Sequence, residues 1–366
     1  MTGQKRILAL VTDSYGGNGG IAAYARDSLA AMVQDPRVSK VIVVPRLVGT
    51  QEEPIPDGVQ MERGAAAGDR AYVATLARLA STARYDAVWV NHLNLAPFGW
   101  AMARRARVRM GLVLHGVEAW TPSKRRSARF AVRRADLLLP VSRLTLDRFQ
   151  AAHAIGERPS VLSPGAVDLD EFTPGPRNEA LATRLMVSGR RVIMTLGRLA
   201  PGERDAKGFG RVIDALPRLI ERWPDLVYVI GGDGNARNDL ERRADRLGVG
   251  GHIRFAGRVD ESEKADFYRL SDAFVMPSIL EGLGIVFLEA LACGVPTIAS
   301  NRDGGREAVA GMGWAIDPYV VDELRIALAE AFARPRTRSA AIEHFGMRAF
   351  ERRVGCGLDQ LFGEKR

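Results

Sequence analysis

Two cations and two carboxylates stand at spacings that chemistry could use. Arg198 follows an apolar run at residues 192–196, and Lys207 comes nine residues later, just before a helical pattern that begins near Phe209. A pair of cations at the carboxyl end of a strand neutralises a diphosphate, and around a departing diphosphate such a pair is an electrostatic catalyst. Glu281 and Glu289 lie eight residues apart in Ser278-Ile279-Leu280-Glu281-Gly282-Leu283-Gly284-Ile285-Val286-Phe287-Leu288-Glu289-Ala290, about two helical turns. A short apolar run (273–276) precedes this stretch, and Leu291-Ala292-Cys293-Gly294-Val295-Pro296 reads as a helix end, so the order is strand, glycine turn, helix. The glycines permit close backbone approach, and the helix start suits a phosphate. Two acids flanking an anion site are suited to accept hydrogen bonds from sugar hydroxyls. A capped surface helix with Glu289 in water is the plainer alternative for either acid alone.

Other segments carry weaker chemistry. Asp13-Ser14-Tyr15-Gly16-Gly17-Asn18-Gly19-Gly20 joins a first apolar run to a helical pattern. Its glycines let backbone approach a bound group, and a flexible connection is the alternative. It is not the dinucleotide fingerprint: Ala22 holds the third glycine position, and the second apolar run ends in Pro45-Arg46 without an acid. His115 ends another run, and His92, after residues 87–91, competes with it for any role. Asp168-x-Asp170 has the look of a metal pair but reads better as turn caps, and no His/Cys cluster has zinc spacing. Gly231-Gly232-Asp233-Gly234 and Asp303-Gly304-Gly305-Arg306-Glu307 are further glycine turns after strands.

The elements that must position these residues alternate. Apolar runs at 6–11, 40–44, 87–91, 111–115, 137–141 and 160–162 read as strands, with helices such as 20–32 and 71–80 between them. After the proline-rich Thr173-Pro174-Gly175-Pro176-Arg177-Asn178 a second series follows, with strands at 192–196, 227–230, 252–255, 273–276 and 297–299. This predicts an α/β protein with parallel sheets. The expected division is a Rossmann-like domain over 1–172, a second over 173–345 facing the first across a cleft, and a C-terminal helical segment, 346–366, packing back on the first.

Bulk composition limits the partners. The chain has 366 residues, 46% of them hydrophobic, enough for two cores. Two cysteines, Cys293 and Cys356, fit a reducing compartment. The first apolar run is too short for a signal peptide, and no run of about 18 apolar residues would span a bilayer, so a cytoplasmic protein is expected. Net charge is +9 and uneven: residues 1–170 hold 23 Lys and Arg against 15 Asp and Glu, and residues 104–134 hold ten basic residues and one acid, Glu118. That implies an anionic partner: nucleic acid, a lipid surface or a phosphorylated acceptor. A nucleic-acid reading lacks aromatic stacking runs, helix-turn-helix spacing and a zinc motif.

Taken together, the segments resemble the retaining family-4 glycosyltransferases of the GT-B fold. The order matches over essentially the whole chain: the glycine-rich first loop, His115-Gly116-Val117-Glu118, the run from Pro164 to Pro174, Gly197-Arg198-Leu199 with Lys207-Gly208, Gly231 to Gly234, the E-x7-E segment from Glu281 to Ser300, and Asp303 to Val309. Bacterial mannosyltransferases of exopolysaccharide and lipopolysaccharide assembly are the nearest in kind. The chain departs from the family at Leu283, where an aromatic residue is common, and residues 200–204 lengthen the loop between Arg198 and Lys207.

The resemblance implies roles. Arg198 and Lys207 hold the donor diphosphate, Glu289 the ribose hydroxyls and Glu281 the donor sugar. Gly284, Ile285 and Val286 present backbone groups to sugar and phosphates, with Gly197 and Gly232 in the same donor site. His115 contacts the sugar near the reacting carbon, and Gly17, Gly19 and Gly20 lie against the donor phosphates or the acceptor. No acid is placed as a nucleophile, which favours front-face transfer, and no metal or other cofactor is expected. GDP-mannose is the first expected donor and a UDP-hexose the second. The acceptor is expected to be a glycan, free or polyprenyl-diphosphate-linked, in cell-surface polysaccharide assembly; a soluble disaccharide synthase or a non-catalytic nucleotide-sugar-binding protein on the same fold are the alternatives. The basic stretch 121–134, with Lys124, Arg125, Arg126, Arg129 and Arg133, reads as one helix that meets the acceptor or rests on the inner face of an anionic membrane; a solvated arginine face is the alternative.

Overall fold

The apolar runs become parallel strands buried on both faces, as parallel sheets covered by helices require. The computed structural model describes residues 4–17, 19–49, 53–199 and 206–363; the expected loop extension, 200–204, and Asn18 lie outside them. The chain divides into two units, Met1–Ala166 with Met347–Arg366, and Val167–Gly346.

The first unit runs β1 (Lys5–Val11), α1 (Gly20–Gln34), β2 (Val38–Pro45), β3 (Val59–Met61), α2 (Asp69–Thr82), β4 (Ala87–Val90), α3 (Ala96–Ala106), β5 (Arg109–Leu114), α4 (Val117–Trp120), α5 (Arg126–Val132), β6 (Leu137–Pro140) and α6 (Arg143–His153). Its described strands form one sheet in the order β3-β2-β1-β4-β5-β6. Chain order reverses between β1 and β4, which pair in parallel with Leu10 opposite Val90. The loops after these two strands therefore flank the crevice where such sheets bind ligands.

The second unit repeats the plan: α7 (Glu179–Arg184), β7 (Arg191–Leu196), α8 (Phe209–Arg222), β8 (Leu226–Gly231), α9 (Arg237–Arg246), β9 (Ile253–Gly257), α10 (Lys264–Leu270), β10 (Ala273–Met276), α11 (Ile285–Ala292), β11 (Thr297–Ser300), α12 (Gly305–Ala308), β12 (Trp314–Ile316) and α13 (Val321–Ala333). The sheet order is β12-β11-β10-β7-β8-β9, so the switch lies between β7 and β10. Phe209, Val212, Ile213, Leu216 and Leu219 bury one face of α8 in the core beneath β7 and β8. Each fully buried side chain of this size contributes about 1.5–3 kcal/mol. The core thereby fixes where α8 begins, and so where Lys207 stands. The last helix, α14 (Met347–Phe362), returns to the first unit. There Phe350 packs edge-on against Tyr24, and Arg37 pairs with Asp359 at 2.6 Å.

The structure departs from the sequence reading in four places. β3 and β12 are three-residue edge strands, too short to leave an alternating pattern. The expected strand 160–162 is reduced to a single bridge between Leu138 and Ser160, because Pro140 of β6 has no N–H to give to Val161 O, although Ser163 N–H still donates to Pro140 O. The basic stretch is not one helix: α5 begins only at Arg126, after Pro122 and an extended Arg125, so Lys124 and Arg125 lie outside it. The second unit starts before the proline-rich segment at 173–178, which packs within it as expected: Arg269 donates to Thr173 O at 2.9 Å and Asn178 caps α7. The unit begins earlier, at Val167, whose N–H donates to Phe345 O at 2.9 Å.

Candidate active site

In the second unit the loops after β7, β8, β10 and β11 meet at the switch point. Gly197 N–H donates to Gly231 O and Leu199 N–H to Asp233 O, so the first two loops continue the sheet's pairing beyond its strands. Gly232 has φ +133°, and a Cβ there would stand 1.9 Å from Gly197 O. Glycine is the residue that lets these two loops touch. Gly197 is open for a different reason: its missing side chain leaves the path of Lys207, whose Cδ would be 2.9 Å from a Cβ at that position.

Lys207 stands just before α8, and its Nζ lies 2.6 Å from Glu281 Oε1. Both side chains are mostly but not fully covered, at 23% and 18% exposure. Asp303 holds the Glu281 turn in place. Fully buried, it accepts hydrogen bonds from Ser278 Oγ at 2.7 Å, Glu281 N–H at 2.9 Å and Gly305 N–H at 3.0 Å. Burial pushes its carboxyl up to about 6, against the pull of these three donors. Gly304 N–H donates to Glu281 O, closing the turn from its other side. Arg198 is exposed on the β7 loop.

Gly284 caps α11 in the left-handed region at φ +85°. Ile285 and Val286 open the helix, where the first N–H groups have no acceptor within the helix. Leu283, the departure from the family pattern, is buried in the turn. Glu289 lies on the same helix, only 6% exposed. Its Oε2 accepts from Tyr268 Oη at 2.5 Å, and its Oε1 faces Lys264 Nζ at 3.6 Å. Burial raises its carboxyl above the usual range, opposed by Lys264 and Tyr268. Lys264 also pairs with Glu261 at 2.7 Å. Both carboxylate oxygens thus have a partner, Oε2 in Tyr268 and Oε1 in Lys264.

The first unit holds the remaining expected residues. His115 follows β5. Its Nε2 lies 2.7 Å from Asn91 O, so Nε2 carries the proton and Nδ1 is the acceptor. Burial lowers the imidazole to about 4, against the attraction of Glu118, so it is neutral near pH 7. Glu118 accepts from the backbone N–H groups of His115 and Gly116, which sets this loop. Tyr24 on α1 packs edge-on against the ring at 5.0 Å. His92 caps a turn by accepting from Asn94 N–H. In the glycine loop, Gly17 is buried: its N–H donates to Ser14 O, its carbonyl accepts from Arg26, and it packs on Asp13. Its backbone is thus occupied within the loop. Gly19 and Gly20, at the start of α1, are exposed.

Of the basic stretch, Lys124, Arg125 and Arg126 are exposed, whereas Arg129 donates to Ser123 O and Arg133 to His153 O. Asp168 accepts from Asp170 and Glu171 N–H groups, a turn cap. Among the described residues no three His, Cys, Asp or Glu side chains gather as a metal would need, and no helix is long and apolar enough to cross a membrane. Tyr268 and Lys264 escaped the sequence reading, and Ser278 stood in the central stretch without a role. Only Asp303 carried a signal, as the acid opening Asp-Gly-Gly after a strand.

Comparison with known proteins identifies the family. Residues 178–347 match the sequence model described as glycosyl transferases group 1, and residues 18–171 match that of glycosyltransferase family 4. A GDP-mannose-dependent alpha-(1-6)-phosphatidylinositol monomannoside mannosyltransferase of Mycolicibacterium smegmatis is 35% identical, over 72% of this chain and 73% of that protein. A GDP-mannose-dependent monoacylated alpha-(1-6)-phosphatidylinositol monomannoside mannosyltransferase of Corynebacterium glutamicum is 29% identical over 93% of this chain and 92% of its own. Among solved structures, Anabaena HepE in complex with UDP and glucose superposes with a TM-score of 0.77 at 20% identity, covering 98% of this chain and 100% of that one, a likeness of fold. The chain belongs to the family-4 glycosyltransferases of the GT-B fold and is a hexosyltransferase.

Proposed function

We propose that the protein transfers mannose from GDP-mannose, with retention at the anomeric carbon, to a hydroxyl of a phosphoinositol-containing glycolipid. The observation that carries the transferase chemistry is the grouping of Lys207, Glu281 and Glu289 around the start of α11 at the switch point of the second unit. The names of the two relatives support mannose, GDP and a phosphatidylinositol-linked acceptor. They move the acceptor away from the polyprenyl-linked glycan of exopolysaccharide or lipopolysaccharide assembly.

In this reading Lys207, Arg198 and the first N–H groups of α11 hold the diphosphate and stabilise it as it departs. Glu289 Oε1 accepts from the ribose hydroxyls, and Glu281 accepts from a hydroxyl of the mannose. The acceptor oxygen attacks the anomeric carbon on the face that the diphosphate leaves. The bond from that carbon to the phosphate oxygen breaks with its electron pair on the oxygen, which takes the acceptor's proton. Glu281 is committed to Lys207, so it is a poor candidate for a covalent nucleophile. His115 of the first unit is neutral, with Nδ1 as the ring's acceptor.

Transfer assays with GDP-mannose, UDP-glucose and UDP-galactose, with and without phosphatidylinositol mannoside, test the proposal. The expected result is GDP release from GDP-mannose, stimulated by the glycolipid and lost in Lys207→Ala. A clear preference for a UDP-hexose would overturn the donor. Stimulation by a free sugar but not by the glycolipid would overturn the acceptor.

A further inference from the structure

Glu289 is reached from two points on α10, one helical turn apart. Lys264 opens that helix and Tyr268 follows four residues later, which puts both on one face. They are fixed differently. Tyr268 is buried, and its ring packs edge-on against Phe274 of β10 at 5.6 Å and against Phe172 at 6.0 Å. Ring packing thus aims its hydroxyl at Glu289. Lys264 is fixed by charge: its Nζ lies 2.7 Å from Glu261 Oε2 and 3.6 Å from Glu289 Oε1. The three charges form a row from water to the interior. The side chains of Glu261, Lys264 and Glu289 are 75%, 17% and 8% exposed in that order.

A carboxyl at the depth of Glu289 favours its neutral form. Lys264 and the Tyr268 hydroxyl oppose that burial effect, and the Glu261 charge adds to it. Burial likewise pulls the Lys264 ammonium down, but Glu289 and Glu261 outweigh it and keep it above the ordinary lysine value. Lys264 is therefore charged at neutral pH. Burial and the Glu289 charge hold the Tyr268 hydroxyl well above its ordinary value, so it stays a donor. Two other titratable groups face this place. Burial, Asp168, Glu261 and Glu289 push up the carboxyl of Glu171, which is exposed on the loop before α7. Cys293, whose N–H donates to Glu289 O, has a thiol that burial pushes up to about 12. Neither brings a positive charge. Among the described residues that face Glu289, the counter-charge is Lys264.

We propose that Lys264 is the positioning residue for the nucleoside end of the donor: its ammonium is the counter-charge of Glu289 and steadies Oε1 for the ribose hydroxyls, while Glu261, on the water side, shares that ammonium and tempers its effect. The proposal rests on the reading of Glu289 as the acceptor of the ribose hydroxyls. A carboxylate oxygen has more than one lone pair, so Oε1 meets the ammonium and a ribose hydroxyl together. An ionised carboxylate accepts strongly through both oxygens, whereas a protonated one turns one of them into a donor and binds two hydroxyls more weakly. Without the Lys264 charge the buried carboxylate has no counter-charge and takes up a proton from water. Loss of the Glu261 charge does the reverse, since Glu289 then has the ammonium to itself and one repulsion fewer.

The ratio of GDP to 2′-deoxy-GDP affinity tests it, measured by calorimetry on the full chain from roughly pH 5 to 8.5. The diphosphate titrates alike in both ligands, so the ratio reports on the ribose. Discrimination is present while Glu289 is ionised and is lost as pH falls and the carboxyl is protonated. Lys264→Met is expected to move that loss to higher pH by about 1–3 units and to lower the ratio near neutral pH about tenfold. Lys264→Arg, which keeps the charge, should restore the wild-type profile. Glu261→Gln should move the loss to lower pH. Its side chain stands in water, so this variant folds and decides the matter should Lys264→Met not fold. A Lys264→Met ratio equal to that of the wild type at every pH, or lowered by one factor at every pH, would overturn the proposal. So would a Glu261→Gln profile that is unchanged or moved to higher pH. Equal affinity of the wild type for the two ligands at every pH would remove the ribose reading of Glu289, and the proposal with it. Discrimination by the wild type that neither variant alters would overturn the proposal alone.

Discussion

Lys207 Nζ and Glu281 Oε1 are 2.6 Å apart, so the cation assigned to the donor's diphosphate and the acid assigned to its sugar form one ion pair. The pair lets each partner orient the other before any ligand arrives. Lys207→Ala is expected to lower kcat by about 10²–10³ and to leave Glu281 without its partner. Glu281→Gln should lower turnover more than donor affinity. Steady-state kinetics beside calorimetric titration of GDP separate the two effects.

Tyr268 acts on Glu289 and not on the donor. Tyr268→Phe removes one hydrogen bond to a buried carboxylate, a loss of about 1.5–3 kcal/mol, and frees Oε2 to turn away from the ligand. GDP affinity should fall about tenfold or more while kcat changes little, and Glu289→Ala should do the same more severely. Because Tyr268 is buried, a merely structural role would lower the melting temperature without separating GDP from 2′-deoxy-GDP. The role proposed here predicts that this discrimination shrinks.

Gly232→Ala is expected to disable the second unit locally. The new Cβ would meet Gly197 O at 1.9 Å in a backbone conformation that side chains rarely adopt, forcing the β7 and β8 loops apart. The cost is of the order of 1–3 kcal/mol, seen as faster hydrogen exchange after β7 and β8. Donor binding should fall further than global stability.

The two units should respond to acid in opposite senses. The His115 imidazole titrates near 4 when folded and near 6.5 when unfolded. Between those values the unfolded chain holds more protons, so this contribution is fully present above 6.5 and is lost as pH falls through 4, on the order of 3 kcal/mol. Asp303 titrates near 6 when folded, above its ordinary 3.8. There the folded state holds more protons, so its contribution is full below 3.8 and is lost as pH rises through 6. Hydrogen exchange resolved by unit checks both: acidification should loosen β5 and tighten β11. His115→Gln should abolish the first trend and Asp303→Asn the second.

Much of the layout was legible because the signals are local. The run 273–276, the glycine turn and the eight-residue spacing of Glu281 and Glu289 lie in one continuous stretch, and a buried parallel strand announces itself by composition. What makes the site work was not legible, because it depends on distance in sequence. Tyr268 comes from α10 and Asp303 from the loop after β11, and neither tyrosine nor aspartate there has a pattern that names its partner. The basic stretch failed differently: charge density suggested one helix, but Pro122 and the backbone carbonyls taken by Arg129 and Arg133 broke it into an exposed run and the short helix α5. Gly17 of the first loop likewise matched in type, yet its backbone is occupied by Ser14 and Arg26.

Val167 and Gly346 pair with each other, so the second unit enters and leaves its fold at one place and is a single uninterrupted run of chain. The first unit is interrupted, since α14 comes after that run. During synthesis the second unit can therefore be complete while the first still lacks the helix that covers Tyr24 and binds Arg37. Its sheet must wait, partly uncovered, until α14 has been made. Removal of α14 would injure the N-terminal half, and the segment 167–346 is the part that should be expressible by itself.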